Sequence, residues 1–216
     1  MLFRSGAYFG VEQVVSRIEK TSLETEDRDD IAAYALQMWK QYFGEGAQIY
    51  GVDIDPRTAA LAEEGVNILI GDQQDRAFLR SLERAAPAFD IVIDDGGHTM
   101  QQQITTFEEM FPRLAEGGVY LAEDLMTSYW PPYGGGLRQP GSFIEYAKQL
   151  IDRLYAWYVQ DPSLPVDAIT RSAYSLNFHN GVIVIEKRAM DAPTHRIKGS
   201  PSFALNEAER AIYDNS

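Results

Sequence analysis

The chain has 216 residues, of which 45% are hydrophobic and 24% charged, and its formal net charge is −13. That length and hydrophobic fraction fit one domain with a substantial core, while the negative charge repels phosphate backbones and argues against nucleic acid as a partner. The absence of cysteine excludes disulfides, thiolate metal sites and a cysteine nucleophile. Because no apolar run could cross a bilayer and no signal-peptide pattern begins at Met1, a cytoplasmic protein without membrane contact is predicted.

The middle of the chain alternates predicted strands and helices. Strands are predicted at residues 48–54, 67–71, 90–93 and 119–122, and helices at 55–64, 75–86 and 99–114, the last stopped by Gly117 and Gly118. Alternation of this kind indicates parallel strands joined by right-handed crossovers. The strands are almost continuously apolar, which is typical of a sheet covered on both faces.

The pattern changes after residue 125. Residues 126–141 are rich in glycine, proline and aromatics and predict a long loop. An amphipathic helix is predicted at 142–158, with Ser142 as N-cap and Glu145 completing a capping box. Two strands at 168–178 and 181–188 flank an Asn-Gly pair, which is a strong hairpin signal. We therefore predict an α/β fold whose mainly parallel sheet ends in an antiparallel hairpin, followed by a tail with a short helix near 205–213.

Two of the apolar stretches end abruptly in carboxylates. Residues 91–98 read Ile-Val-Ile-Asp-Asp-Gly-Gly-His, and residues 119–125 read Val-Tyr-Leu-Ala-Glu-Asp-Leu. A buried strand gains nothing from paired acids at its end, because unpaired buried charge is costly. Acids and a histidine at two strand ends therefore suggest a hard metal ion beside a general base.

Plainer interpretations of the same residues stay open. His98 could only cap the helix that follows it, the Glu123-Asp124 pair could be a surface turn, and Asp53 could be a helix cap. Side chains alternate along a strand, so Asp94 and Asp95 cannot point the same way. One of these two aspartates is expected to brace the loop.

Residues 38–130 contain, in order, MWKQYF, IYGVDIDPR, GDQQD, FDIVIDDGGH, LAEGGVYLAEDL and YW. This series resembles the class I S-adenosylmethionine-dependent methyltransferases, and most specifically the metal-dependent sugar O-methyltransferases of macrolide biosynthesis, the mycinamicin and macrocin type. The resemblance covers about residues 36–188. It implies a Rossmann-like methyltransferase fold with helices on both faces of the sheet.

The resemblance also implies roles for individual residues. Asp53 would bind the ribose of the methyl donor, Asp72 and Gln73 would lie along its adenine, and Asp94 falls on the cofactor side or braces the loop. The Mg²⁺ ligands would be Asp95, Glu123 and Asp124, with His98 as general base. Tyr129 and Trp130 belong to an aromatic loop that would contact the substrate.

The implied reaction is methyl transfer from S-adenosylmethionine to a hydroxyl of a sugar or glycosylated natural product. Magnesium prefers oxygen ligands and makes a coordinated hydroxyl more acidic, and an imidazole can then accept the proton near neutral pH. The predicted partner is a small hydroxyl-bearing molecule, and the resemblance is compatible with a homo-oligomer.

One family element is missing from the expected place. The glycine-rich loop after the first strand should precede Leu36, yet residues 22–35 contain no glycine and no apolar run for a central strand. Residues 11–19 could be a helix or a strand. We therefore divide the chain into an atypical segment at 1–35, a methyltransferase-like domain at 36–188 and a tail at 189–216, with an altered or absent first strand.

Two explanations of the missing loop compete, a divergent member with a rebuilt donor site and an N-terminal region that is truncated or frame-shifted, and the second is preferred. The alternative function is accordingly an inactive or truncated methyltransferase-like domain that binds a ligand or partner without catalysis. A nicotinamide-dependent oxidoreductase is weaker, because a G-x-G-x-x-G loop is absent and the acid cluster would have no role.

Overall fold

The computed structural model describes residues 2–4, 28–44, 46–194, 202, 204–207 and 210, and it describes side chains from residue 35 onward. Within these residues the protein forms a seven-stranded sheet of order β3-β2-β1-β4-β5-β7-β6. The strands are β1 (Leu2–Arg4), β2 (Gln48–Asp53), β3 (Val66–Ile70), β4 (Phe89–Asp94), β5 (Leu114–Ala122), β6 (Ala173–His179) and β7 (Val182–Lys187). Five strands run in one direction, while β1 and β7 run in the other.

The centre of the sheet is occupied by β1, which is antiparallel to both of its neighbours. Leu2 lies opposite Tyr50 of β2 and Val92 of β4. The first strand is thus altered rather than absent, and it comes from the beginning of the chain instead of from residues 22–35. At their carboxyl ends, β2 continues to Asp53 and β4 to Asp94, past the residues that pair with Leu2.

Helices cover both faces of the sheet, as predicted. They are α1 (Arg28–Phe43), α2 (Arg76–Ser81), α3 (Met100–Met110) and α4 (Phe143–Leu154). On one face, Trp39 of α1 belongs to the same buried cluster as Ile91 and Leu121. On the other face, α2, α3 and α4 pack against the opposite sides of the strands, where Phe107 and Tyr120 are in edge-to-face contact. The two clusters follow the alternation of side chains along β4 and β5.

Several predicted boundaries were wrong for local reasons. The helix predicted at 55–64 is a 3₁₀ helix, Pro56–Leu61, without buried residues. Burial against the sheet therefore does not stabilise a longer helix. The helix predicted at 99–114 ends at Met110, because Pro112 lacks the N–H that would continue it and a 3₁₀ turn follows. Strand β5 begins directly afterwards, at Leu114, and passes through the glycines expected to stop the helix. Gly118 has no room for a side chain, since a Cβ there would lie 3.0 Å from the carbonyl oxygen of Asp90.

The second half of the domain also departs from the predicted bounds. The expected loop at 126–141 contains the 3₁₀ segments Leu125–Tyr129 and Pro131–Tyr133. Ser142 caps α4 as predicted, but α4 ends at Leu154 and a 3₁₀ turn, Ala156–Tyr158, follows. The hairpin is confirmed, although its first strand starts at Ala173 instead of 168.

The predictions for residues 11–19 lie outside the described residues, as does most of the predicted helix at 205–213. At the start of that helix, the N–H of Arg210 donates to the carbonyl of Asn206 over 3.0 Å, which is helical spacing. Among the described residues, none of the helices combines the length and hydrophobicity needed to cross a membrane.

A buried ion pair joins α2 to α3 and generates a test of fold stability. Glu109 is 9% exposed and accepts hydrogen bonds from Arg80 and Arg76 at 2.8–2.9 Å. The hydrogen bonds from Arg80 outweigh burial and, with the single bond from Arg76, lower the pKa of Glu109 to about 2. Because the folded pKa lies below the unfolded one, this stabilisation is present above about pH 4.5 and is lost as the pH falls towards 2.

We therefore expect Glu109→Gln to lower the free energy of unfolding at pH 7 by about 2 kcal/mol, a value reduced for the solvent exposure of both arginines. The difference from the wild type should shrink below pH 4.5 in urea titrations. Glu83→Gln is the control, since Glu83 pairs with Arg113 over 3.4 Å with 65% of its side chain exposed. A pH-independent difference for Glu109→Gln would contradict the prediction.

Candidate active site

The predicted site residues follow four strands that run in the same direction. Asp53 ends β2, Asp72 follows β3, Asp94 ends β4 and Glu123 follows β5. Strands of equal direction present their carboxyl ends at the same edge of the sheet, which is where ligands of open α/β sheets bind. The fold therefore brings all predicted site segments to one edge.

Asp94 is a buried brace within this edge. Its side chain shares the face of Tyr120, and Tyr120 donates its hydroxyl hydrogen to Asp94 Oδ2 over 3.1 Å. Gln73 Nε2 donates to Asp94 Oδ1 over 3.0 Å. Burial raises the pKa of Asp94. Both carboxylate oxygens thus have protein partners, which agrees with the bracing role left open by the sequence; a contact with the methyl donor stays a prediction.

Gln73 ties the loop after β4 to the rest of the domain. Its Oε1 accepts the N–H of Gly97 over 2.9 Å, and its Nε2 also donates to Thr106 of α3 over 3.1 Å. The approach is so close that a Cβ on Gly96 would lie 1.9 Å from Gln73 Oε1. The amide therefore holds the 95–98 loop, and its predicted position along adenine stays a prediction.

Four predicted residues meet at the ends of β4 and β5. His98 Nε2 lies 3.4 Å from Asp124 Oδ2 and 3.8 Å from Asp95 Oδ1. The side chain of His98 is 17% exposed, whereas those of Asp95 and Asp124 are about half exposed. Glu123 lies beside them, and its N–H donates to the carbonyl of Asp94 over 3.0 Å. The imidazole thus faces a cluster of acids that is open to solvent on one side.

The electrostatics of this cluster are those of crowded carboxylates. Burial, together with the negative charges of Asp95 and Asp124, raises the pKa of Glu123 to about 8. Burial also raises the pKa of Asp95, with Asp124 acting in the same direction and His98 against it. Such a cluster favours any species that adds positive charge. Within the described part of the chain, however, no three or more His, Cys, Asp or Glu side chains stand close enough to hold a metal as they are.

Sequence reasoning missed three residues that support the cluster. Tyr120 holds Asp94, Gln103 Nε2 donates to the carbonyl of Glu123 over 2.9 Å, and Thr127 Oγ1 contacts the carbonyls of His98 and Asp124. A signal existed only for Tyr120, since a buried aspartate needs a donor and a tyrosine lies on the neighbouring strand. The other two contacts join segments that are 20 and 29 residues apart and leave no local pattern.

A cleft that opens to solvent lies at the same edge of the sheet, and Val52, Gln73, Ile93, Asp94 and Gly96 are among the residues that line it. Asp53 is half-buried and accepts the N–H of Asp55 over 2.8 Å, while Asp72 accepts the N–H of Gln74 over 2.8 Å. Both acids stand at strand ends as predicted, and each also braces its own turn.

The aromatic segment after the acids is exposed. Tyr129 and Trp130 are 46% and 49% exposed, and Trp130 contacts Tyr133 with ring centroids 5.9 Å apart. Exposed rings beside a polar cluster are suited to stacking on a sugar or an apolar group. Their role as substrate contacts stays a prediction.

Comparison with known proteins identifies relatives of this domain. Residues 31–125 match the family model described as a methyltransferase domain. The 8-demethyl-8-alpha-L-rhamnosyl tetracenomycin-C 2'-O-methyltransferase of Streptomyces olivaceus is 41% identical over 165 residues, which are 74% of this chain and 43% of that protein. The mycinamicin VI 2''-O-methyltransferase of Micromonospora griseorubida is 35% identical over 186 residues, 84% of this chain and 45% of that protein.

A solved structure agrees with these matches. The MycE methyltransferase from the mycinamycin biosynthetic pathway, in complex with Mg, SAH and mycinamycin VI, superposes with a TM-score of 0.68 at 32% identity, covering 84% of this chain and 45% of that one. The chain thus spans less than half the length of the relatives named here. Over that part, it belongs to the S-adenosylmethionine-dependent methyltransferases and is of the mycinamicin type.

Proposed function

We propose that this domain transfers a methyl group from S-adenosylmethionine to a hydroxyl of a sugar or glycosylated small molecule, with Mg²⁺ held by Asp95, Glu123 and Asp124 and with His98 as general base. The observation that carries the proposal is the position of the His98 imidazole, 3.4 Å and 3.8 Å from two carboxylates at the ligand-binding edge of the sheet. The relatives named above, which are sugar O-methyltransferases, support the same reaction.

The chemistry of these residues suits a divalent cation, although their side chains would have to move closer together to hold it. The three carboxylates offer the hard oxygen ligands that Mg²⁺ prefers, and the raised pKa of Glu123, about 8, reflects a repulsion that a cation would relieve. Bound there, Mg²⁺ would supply the positive charge that makes a nearby sugar hydroxyl more acidic. The complex of the MycE relative with Mg supports this assignment.

His98 has the placement of a base. Its Nε2 faces the acids and the open side of the site, while its Nδ1 is buried without a hydrogen-bond partner among the described residues. In the proposed reaction Nε2 accepts the hydroxyl proton as the oxygen attacks the sulfonium methyl group. The neighbouring carboxylate of Asp124 would stabilise the imidazolium that forms.

The two ligands would approach the acid cluster from opposite sides. Asp53 and Asp72, which we propose for ribose and adenine, stand at the ends of β2 and β3, whereas Tyr129 and Trp130 follow Asp124 in the segment after β5 and would contact the acceptor. A class I methyltransferase must bind both the methyl donor and the acceptor. Binding of the donor is therefore the observation that best distinguishes this proposal from a domain that binds a ligand without catalysis.

Calorimetry should detect binding of S-adenosylhomocysteine, and Asp53→Asn should weaken it by about tenfold, since one charged hydrogen-bond acceptor to a ribose is lost. Asp90→Asn, a change at the opposite end of β4, is the control. Absence of heat with the wild-type domain would favour the inactive alternative.

With S-adenosylmethionine, Mg²⁺ and rhamnosylated 8-demethyl-tetracenomycin C as acceptor probe, His98→Gln should reduce kcat by about 10² to 10⁴, the usual contribution of a general base. His179→Gln removes an exposed histidine in the hairpin and should leave kcat unchanged. Chelation of the metal should abolish turnover reversibly. Full turnover in chelator, or an active His98→Gln variant, would refute the assigned roles.

Gly96→Ala tests the loop that carries Asp95 and His98. The added methyl group must displace the Gln73 amide, so we expect a loss of about 1–3 kcal/mol in unfolding free energy and a lower kcat. Gly46→Ala is the matched control, because a Cβ at position 46 meets nothing within 4 Å. Equal stability of the two variants in urea would show that the Gln73 contact does not hold the loop.

A further inference from the structure

Two residues of the proposed site have strained backbone. His98 has a φ of 54° and Asp124 a φ of 53°, in the left-handed region that side chains other than glycine seldom adopt. Such a conformation costs on the order of 1–3 kcal/mol and persists where the surrounding structure over-determines it. The described part of the chain has one other such residue, Arg138. The structure must therefore contain contacts that hold His98 and Asp124 in place.

One buried hydroxyl contacts the carbonyl oxygens of both residues. Thr127 Oγ1 lies 2.7 Å from the carbonyl oxygen of Asp124 and 3.0 Å from that of His98, and Thr127 is 2% exposed. A hydroxyl has a single proton to donate, so the two carbonyls share it in a three-centre bond. Because the direction of a carbonyl depends on the ψ angle of its residue, the hydroxyl restrains ψ at both strained positions.

We propose that Thr127 is the positioning residue that sets His98 against Asp124, an inference that rests on the proposed function of these two side chains. His98 belongs to the loop after β4 and Asp124 to the turn after β5, and the hydroxyl of Thr127 connects the two segments. The distance of 3.4 Å between His98 Nε2 and Asp124 Oδ2 depends on this connection.

A purely local role does not account for the contact with His98. Threonine hydroxyls often donate to the carbonyl three residues earlier, and the Thr127–Asp124 bond is of that kind. The N–H of Thr127 donates to the same Asp124 carbonyl over 3.0 Å, so Thr127 would stay attached to its own turn without the hydroxyl. The bond to His98, 29 residues away, is the part that aligns one segment with the other.

The test compares Thr127→Val, which removes the hydroxyl and keeps the shape, with Thr127→Ser, which keeps the hydroxyl. Mn²⁺ serves as the probe for the acid cluster, with free ion measured by electron paramagnetic resonance. We expect Thr127→Val to weaken Mn²⁺ binding by about tenfold, as loss of residues that orient metal ligands does. Thr127→Ser should restore it. The backbone ¹³C shifts of His98 and Asp124 should leave their left-handed values in Thr127→Val only.

Thr105→Val controls for the loss of a buried threonine hydroxyl, because Thr105 is fully buried and bonds to Gln101 within α3. If Thr127→Val does not fold, Thr127→Cys replaces it, since a thiol is a weak donor. A variant without the hydroxyl that keeps both wild-type affinity and wild-type shifts overturns the proposal. If the wild-type domain binds no Mn²⁺, the proposed metal role fails, and the shifts alone decide the role of Thr127.

Discussion

The buried carboxylate of Asp94 is the interaction on which the edge of the sheet depends. A carboxylate without partners would be expensive at this depth, and the domain supplies donors from two directions, the hydroxyl of Tyr120 on β5 and the amide of Gln73 after β3. Through the same amide the network reaches Thr106 of α3 and the N–H of Gly97. One buried carboxyl group thus links three strand ends, a helix and the loop that carries the proposed base. Removal of any hydrogen-bond partner of Asp94 should therefore disturb the site more than the hydrophobic core.

The neighbouring acids repel one another instead of being held by hydrogen bonds. Asp95 and Asp124 are half exposed, have few partners and repel Glu123, whose pKa rises to about 8. This arrangement destabilises the folded domain, and nothing in the packing of β4 and β5 requires it. A cation bound to the folded state but not to the unfolded one would offset the repulsion. Asp94 is fully hydrogen-bonded, whereas its neighbour Asp95 has few partners. This contrast separates an acid that braces the structure from one that we propose binds a ligand, more clearly than their exposure alone.

The apolar runs and the Asn-Gly pair were sufficient to predict the succession of strands along the chain after residue 48, because each depends on local chemistry. The rule that strands of one direction share an edge was sufficient to bring the strand-end acids together, whereas the roles of single residues came from the family resemblance. The position of β1 was not predictable in this way, since three residues carry no periodicity and their place is decided by the two strands beside them. Helix α3 ended early because Pro112 outweighed an apolar pattern that continued to Leu114. Thr127 was not predicted because its hydrogen bond to the carbonyl of His98 joins residues far apart in the chain.

The two halves of the proposed site therefore differ in what holds them. On the acceptor side, Thr127 bonds to the carbonyls of His98 and Asp124. Gln73 accepts the N–H of Gly97, and Gln103 donates to the carbonyl of Glu123. On the donor side, the side chains proposed to bind the donor stand at the ends of β2 and β3. The spacing between β2 and β4 is set by the central strand β1, which pairs with both. The affinity for the donor should consequently respond to changes in β1, whereas the geometry of the base and acids should not.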